Sequence, residues 1–291
     1  MNPSNEALPA EQPGYWTEII TPKAGIFSLH LAEVWRHKDL LSMLVRRDFV
    51  STYKQTILGP IWFFIQPLLT TLTFIIVFGR IAKISTDGLP MMVFYLSGLT
   101  LWNYFSECLN KTATVFKDNA NIFGKVYFPR IVMPLSIVVS GLVRLGIQFS
   151  LFLGVLVYYL ATGAQVHPNL YILVSPLLIV LMAVIALGAG MLISALTTKY
   201  RDLIFLLTFG VQLFMYATPV IYPMSALPYQ YAWLIKANPL SWIVETFRYA
   251  FTGSGVMSWT GLGYSLGFGV VLLLLGALVF NKVEKSFMDT V

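Results

Sequence analysis

A chain of 291 residues with 57% hydrophobic and only 11% charged side chains lacks the charge needed to cover a water-soluble body, in which about a quarter of residues are charged. This composition excludes a plain cytosolic enzyme and points to an all-α polytopic membrane protein. The net charge of +6 would suit nucleic acid or a membrane surface, and the placement of the basic residues decides between them.

Residues 1–25 read as an N-terminal tail. As far as residue 22 they carry Pro3, Pro9, Pro13 and Pro22 with Glu6, Glu11 and Glu18, and no Lys or Arg. A cleavable signal peptide would instead have a basic start and a short apolar run. In residues 26–56, Ile26, Leu29, Val34, Leu40, Leu41, Leu44 and Val45 recur at helical spacing among Arg36, Lys38, Arg46 and Arg47. The pattern predicts one or two amphipathic helices, lying in the cytoplasmic membrane interface or packed on the protein itself.

A membrane domain is expected over 57–291. Crossing about 30 Å of hydrocarbon takes about 20 apolar residues, and six stretches supply them: 57–79, 90–109, 131–161, 170–196, 203–222 and 262–280. The second is the most polar, because Asn103 and Glu107 lie toward its inner end. Six spans place both termini on one side, and the positive-inside rule makes that side cytoplasmic. Fourteen of the nineteen Lys and Arg residues then lie inside, while Arg80, Lys83, Lys236 and Arg248 lie outside and Arg144 falls within the third span. The net charge therefore records membrane insertion, so membrane lipids and not nucleic acid are the expected partner of these residues.

The outer segment 222–259 is too aromatic for a solvated loop: it includes Tyr222, Trp233, Trp242, Phe247 and Phe251, broken by Pro228 and Pro239. Two short re-entrant helices separated at Asn238-Pro239 are expected between spans 5 and 6. Small residues Ala186, Gly190 and Ser194 on span 4, and Gly263 and Gly267 on span 6, are read as close helix contacts.

No catalytic residues are indicated. Gly124-Lys125 lacks the surrounding phosphate loop, no nucleophile elbow or zinc-protease motif occurs, and His30, His37 and His167 with Cys108 have no metal-site spacing. Arg144 reads as a contact for an anionic substrate or hydrated path, as the ion-pair partner of Glu107, or as a side chain snorkelling from a tilted helix. Gln66, Gln148 and Gln212 could bond a hydroxyl-rich substrate or link helices. Trp62, Phe63, Trp102, Tyr104, Phe209 and Tyr216 could offer flat faces to sugar rings, or could face lipid. On the cytoplasmic side, Asn121, Ile122, Phe123, Lys125, Tyr127, Phe128 and Arg130 suggest a short helix whose exposed rings dock a protein, or an anchor for span 3.

Motif order then adds a resemblance. Leu58-Gly59-Pro60-Ile61-Trp62 and Gln66-Pro67-Leu68 open span 1. Tyr200-Arg201-Asp202-Leu203 leads into span 5, and Gln212 precedes Thr218-Pro219-Val220-Ile221-Tyr222-Pro223. Asn238-Pro239-Leu240 follows, with Glu245 and Arg248 beyond it. From about residue 40 onward the chain resembles the permease subunits of type 2 ATP-binding-cassette exporters, especially those moving O-antigen, teichoic acid and related envelope polysaccharides. The resemblance implies a homodimer in a bacterial inner or plasma membrane, multi-pass with both termini cytoplasmic. It would pair with two copies of a separate subunit that binds ATP and Mg, no cofactor being held by this chain. The substrate would be a lipid-linked glycan, passing between protomers along spans 1 and 5. The implied path residues are Trp62, Phe63, Gln66, Trp102, Tyr104, Arg144, Phe209, Gln212 and Tyr216. ATPase coupling would fall to Arg36, Arg46, Arg47, Asn121, Ile122, Phe123, Lys125, Tyr127 and Arg130, and the outer gate to Tyr222, Trp233, Asn238, Pro239, Trp242, Glu245 and Arg248. Arg201 and Asp202 would brace the turn before span 5 or simply pair with each other. A drug exporter of the same superfamily would share this architecture. A membrane enzyme acting on lipid-linked sugars would need Glu107 or Glu245 as an acid or base.

Overall fold

The computed structural model describes residues 35–54, 59–123 and 128–287. The expected tail 1–25, the first part of the 26–56 region, and Lys125 and Tyr127 lie outside the described residues. The described chain is helical, with no strand among those residues. Four helical stretches are long and apolar enough to cross a membrane: Trp62–Ile81, Val132–Ala161, Leu170–Lys199 and Trp259–Val283.

Helix α1 (Lys38–Tyr53) packs on the protein itself. Leu44 is buried, with Leu40 and Leu41 half-buried against a cluster of Val115, Phe116, Phe123, Phe128, Val132, Met133 and Phe280. Its other face leaves Arg46, Arg47 and Met43 exposed. Helix α2 (Trp62–Phe74) contains Pro67, which removes one backbone donor, and widens into π-type turns over Ile75–Ile81.

Helix α3 (Met91–Ala113) is the centre of the molecule. It touches α2, α6 (Val132–Ala161), α7 (Ser175–Lys199), α8 (Leu203–Tyr216) and α10 (Pro239–Thr252). It is not one of the four long apolar stretches, because Asn103, Glu107, Asn110 and Lys111 make its inner half polar. Asn103, Glu107 and Asn110 turn toward α6 or back on α3 and are partly buried, while Lys111 pairs with Glu107 and stays exposed. Two one-turn helices, α4 (Val115–Asp118) and α5 (Ala120–Phe123), link it toward α6.

Helices α7 and α11 (Trp259–Phe287) lie against each other. At their crossing a Cβ on Gly276 would stand 2.4 Å from the Gly188 carbonyl oxygen, and a Cβ on Gly188 would stand 2.6 Å from the Leu273 nitrogen. Gly190 meets Thr112 of α3 just as closely, matching the small-residue stripe expected there. The expected stripe on span 6 is corrected: Gly263 and Gly267 face open space, and the close contacts are at Gly261, Gly269 and Gly276. A glycine marks a contact only when its face of the helix meets a neighbour.

The fifth expected span is also shorter than its apolar run. Helix α8 ends at Tyr216, and residues 217–223 form turns. Pro219 and Pro223 remove backbone donors there. Helix α9 (Tyr229–Ala237) and α10 follow, separated where expected, at Asn238-Pro239. Asn238 caps α10 by accepting from the Leu240 amide at 3.0 Å, with Pro239 in the first turn. Gly253, at φ +76°, closes α10 in the left-handed conformation.

Candidate functional site

The residues expected to form a path separate into two environments. On α2 and α8, Trp62 is 49% exposed, Phe209 58% and Tyr216 51%, with Gln66 and Gln212 also exposed and Phe63 half-buried. Val211 is the one buried residue of α8. Both helices lean on α3 and leave an aromatic face that no other described residues cover.

Trp102 and Tyr104 lie inside instead. Trp102 packs against Phe105 and Phe214 at centroid separations of 5.5 and 6.1 Å. The Tyr104 hydroxyl donates to the Val138 carbonyl at 3.3 Å, and its ring lies where a Cβ on Gly141 would be. These rings fasten α3 to α8 and α6 within one chain.

Arg144 sits on α6 opposite Glu107 of α3. Its Nη1 contacts Glu107 Oε1, and Lys111 Nζ reaches the same oxygen at 2.9 Å. Of the readings the sequence allows, the structure contains the ion pair with Glu107. One turn farther along, Asn103 Nδ2 donates to Gln148 Oε1 at 3.4 Å, so Gln148 links helices.

At the end of the bundle that carries α1, the exposed-ring expectation is corrected. Phe123 and Phe128 are buried and stacked at 5.9 Å, and buried Arg130 lies 5.4 Å above the Phe123 ring. A one-turn helix cannot hold itself, and these rings anchor it in the core under α1. Asn121 is exposed and Ile122 half-buried, while Arg36, Arg46 and Arg47 are exposed on or beside α1. Arg201 and Asp202 are exposed and make no ion pair with each other. Their backbone carbonyls close the turn into α8, accepting from Ile204 and Phe205.

The outer cluster is the most connected. Glu245 and Arg248, one helical turn apart on α10, are both about 1% exposed and pair at 2.5 Å. Arg248 Nη2 donates to the Pro219 carbonyl at 2.7 Å, and its guanidinium lies 4.0 Å from the Phe94 ring centroid. Glu245 accepts from the Met224 and Val256 amides at 3.3 and 3.2 Å. Asn238 Nδ2 donates to Ala217 O and Thr218 Oγ1 at 3.0 and 2.9 Å. These three side chains satisfy the irregular backbone after α8 and hold it against α3, where a Cβ on Gly98 would lie 3.1 Å from the Val220 carbonyl. Trp242 donates to Lys236 O at 2.9 Å and packs over Gly261. Tyr222 donates to Tyr216 O at 2.8 Å, and Trp233 stays exposed.

Sequence reasoning missed Asp87. Its carboxylate accepts from Ser225 Oγ at 2.7 and 2.8 Å, and its carbonyl accepts from Ser254 Oγ at 3.4 Å. It thereby ties the α2–α3 loop to both ends of the outer segment. Asp87-Gly88, with φ of +52° and +79°, is the turn signal that could have drawn attention to it. Glu107 and Glu245 both oppose arginines, the arrangement of fixed ion pairs; neither is an unpaired acid or base. Among the described residues no three His, Cys, Asp or Glu side chains converge to hold a metal ion.

The described residues form a helical bundle around α3, with four stretches long and apolar enough to cross a membrane and exposed aromatic side chains on α2 and α8. The chain belongs to the family described as ABC-2 type transporter, which matches residues 39–252. It is 27% identical over 251 residues to an O-antigen export system permease protein RfbA of Klebsiella pneumoniae, covering 86% of this chain and 94% of that one. The RfbA protein of Myxococcus xanthus is 25% identical over 261 residues, 89% and 98% of the two chains. The capsule polysaccharide export inner-membrane protein CtrC of Neisseria meningitidis is 24% identical over 264 residues, 86% and 92% of the two.

Proposed function

We propose that this chain is the membrane subunit of an ATP-driven exporter that moves a lipid-linked envelope polysaccharide of O-antigen or teichoic-acid type out of the cytoplasm. It acts as a homodimer in a bacterial inner or plasma membrane, with two copies of a separate subunit that binds ATP and Mg and carries out hydrolysis. Family membership and the names of the relatives support the class of cargo. The observation that carries the route is the uncovered aromatic face of α2 and α8, against which a second protomer would leave a channel.

Six helices cross the membrane in this reading: α2 with its π-type turns, α3, α6, α7 with the turn before it, α8 and α11. Helix α3 is 23 residues, about 35 Å, and its polar side chains Asn103, Glu107 and Asn110 are held against the protein, with Lys111 exposed at its end. Helix α8 is 14 residues, about 21 Å. The turns after it complete the span because Asn238 and Arg248 satisfy their carbonyls, as irregular backbone at membrane depth requires. The surplus of basic residues orients both termini to the cytoplasm.

Trp62, Phe63, Gln66, Phe209, Gln212 and Tyr216 line the path. Arg36, Arg46, Arg47, Asn121 and Ile122 meet the ATPase, while Phe123 and Arg130 transmit its motion from beneath. Helices α9 and α10 dip into the outer leaflet as the gate, with Trp233 and Tyr222 at its rim and Asn238, Glu245 and Arg248 as its frame. Native mass spectrometry of the gently solubilised complex, paired with surface-glycan staining of cells lacking the chain, tests the proposal. The expected results are a two-plus-two assembly with a nucleotide-binding subunit and loss of surface polysaccharide. A chain that purifies alone after cross-linking, in cells with unchanged surface glycan, overturns it.

A further inference from the structure

The outer segment is fastened in two ways. The buried side chains of Asn238, Glu245 and Arg248 hold α10 and the turns before Met224. Helix α9 is held more lightly: of its described side chains only Ile235 is buried. It is pinned at its far end, where Trp242 Nε1 donates to the Lys236 carbonyl at 2.9 Å and the Tyr264 hydroxyl to the Ala237 carbonyl at 2.7 Å. Ahead of it, the last buried fastening is the Met224 amide on Glu245, at 3.3 Å. Residues 225–235 thus form a flap between two fixed points. Asp87 reaches across to this flap, its carboxylate accepting the Ser225 hydroxyl at 2.7 and 2.8 Å.

A stiff arm presents Asp87. The Ala82 and Ile84 amides donate to the Val77 and Phe78 carbonyls at 2.9 Å, carrying the π-type turns of α2 into the loop. Thr86 Oγ1 donates to the Leu89 carbonyl at 2.8 Å and the Leu89 amide to the Thr86 carbonyl at 3.1 Å, which closes the loop onto the start of α3. Lys83 and Asp87 hold φ of +54° and +52°, values that residues other than glycine keep only where their surroundings impose them. The arm therefore gives the flap one closed position. Exposure then sets how firmly it is held. Both Asp87 and Ser225 are exposed, so water competes for their bond, whereas Glu245 and Arg248 are about 1% exposed and costly to separate. The weakest fastening of the outer segment is the one on the flap.

We propose that Asp87 is the positioning residue of a reversible clasp. Its carboxylate on Ser225 holds residues 225–235 closed, and release of that bond frees α9 while α10 stays in its buried frame. That the flap covers an export path rests on the function proposed above; the clasp does not.

Hydrogen–deuterium exchange of the purified complex, read by mass spectrometry, tests the clasp without any cargo. A helix of nine residues is too short to persist alone, so a freed flap frays and its amides exchange. Asp87→Gly keeps the left-handed turn and removes the carboxylate, while Ser225→Ala removes the hydroxyl and leaves the turn intact. Each is expected to speed exchange of the hydrogen-bonded amides of α9 about tenfold, the scale of a hydrogen bond to an ionised group. Exchange in α10 should change less than about twofold. The double variant should be no faster than either single one, because both remove the same bond. Unchanged exchange of α9 in the single variants, additive effects in the double variant, or equal speeding of α9 and α10 overturns the clasp. Cells that keep their surface polysaccharide without the chain would overturn the exporter reading and leave a measured clasp standing.

Discussion

Helices α3 and α8 reverse the rule familiar from soluble proteins. Helix α3 carries Asn103, Glu107, Asn110 and Lys111 yet is buried along most of its length, whereas α8, with Thr208 and Gln212 as its main polar residues, has a single buried position. In lipid the apolar helix loses nothing by facing outward, so a polar helix is the one driven to find partners in the bundle. Apolar character therefore reports contact with lipid, path or partner, and polar character within a span reports the centre. The outer segment extends the comparison: α10 holds a buried ion pair, while the neighbouring α9 exposes Tyr231, Trp233 and Leu234.

The sharpest way to break this contrast is to strand a charge at the centre. Removing one member of a buried ion pair typically costs about 3–5 kcal/mol. Glu245→Gln would leave Arg248 facing the Pro219 carbonyl and the Phe94 ring without its ion-pair partner. The expected outcome is loss of monodisperse protein on gel filtration and a strongly lowered unfolding midpoint. The double variant Glu245→Gln/Arg248→Met should recover much of that loss, because it removes both charges together. A single variant as stable as the double would show that water reaches the pair.

Next in size is the anchor beneath α1. Phe123→Ala empties a ring from the cluster beneath α1 and should cost about 3–5 kcal/mol, as buried phenylalanine truncations do. Asn121→Ala, on the exposed side of the same turn, should stay within about 0.5 kcal/mol. Thermal unfolding separates the two. If Asn121→Ala also weakens pull-down of the ATPase subunit at unchanged stability, the coupling surface is on that side of α5.

The uncovered helices should behave in the opposite way. Trp62→Ala, Phe209→Ala and Tyr216→Ala are each expected to alter stability by no more than about 0.5 kcal/mol and to slow export of polysaccharide in cells. A large stability loss with Phe209→Ala in the isolated protomer would mean that its face is packed and not open.

How much of this could be read beforehand follows from the same physics. The long apolar helices and the break at Asn238-Pro239 were legible because length, hydrophobicity and proline act locally. The pairing of Arg144 with Glu107 was one of several readings, since a charge at depth demands a partner or water without naming it. The burial of Phe123 was not legible: a ring on a one-turn helix looks the same in sequence whether it faces solvent or α1. The end of α8 at Tyr216 was hidden for a related reason. Its apolar run continues to Tyr222, and what permits irregular backbone there is hydrogen bonding from Asn238 and Arg248, more than twenty residues away. The role of Asp87 likewise depends on Ser225 and Ser254, both distant in sequence.

The smallest expected effect sharpens the comparison most. Asn103 and Gln148 join α3 to α6 through a hydrogen bond of 3.4 Å, at the long end of the range. Interhelical hydrogen bonds in membranes average only about 0.6 kcal/mol, because the separated helices also find partners. Asn103→Leu combined with Gln148→Leu in a double-mutant cycle, read by reversible unfolding in detergent, should give a coupling of about 0.5 kcal/mol. A coupling above about 2 kcal/mol would mean that polar pairs actively hold α3 at the centre. The smaller value would mean that α3 lies there because its polar groups are costly elsewhere, while apolar contacts such as Trp102 on Phe214 and close crossings such as Gly190 on Thr112 supply the grip.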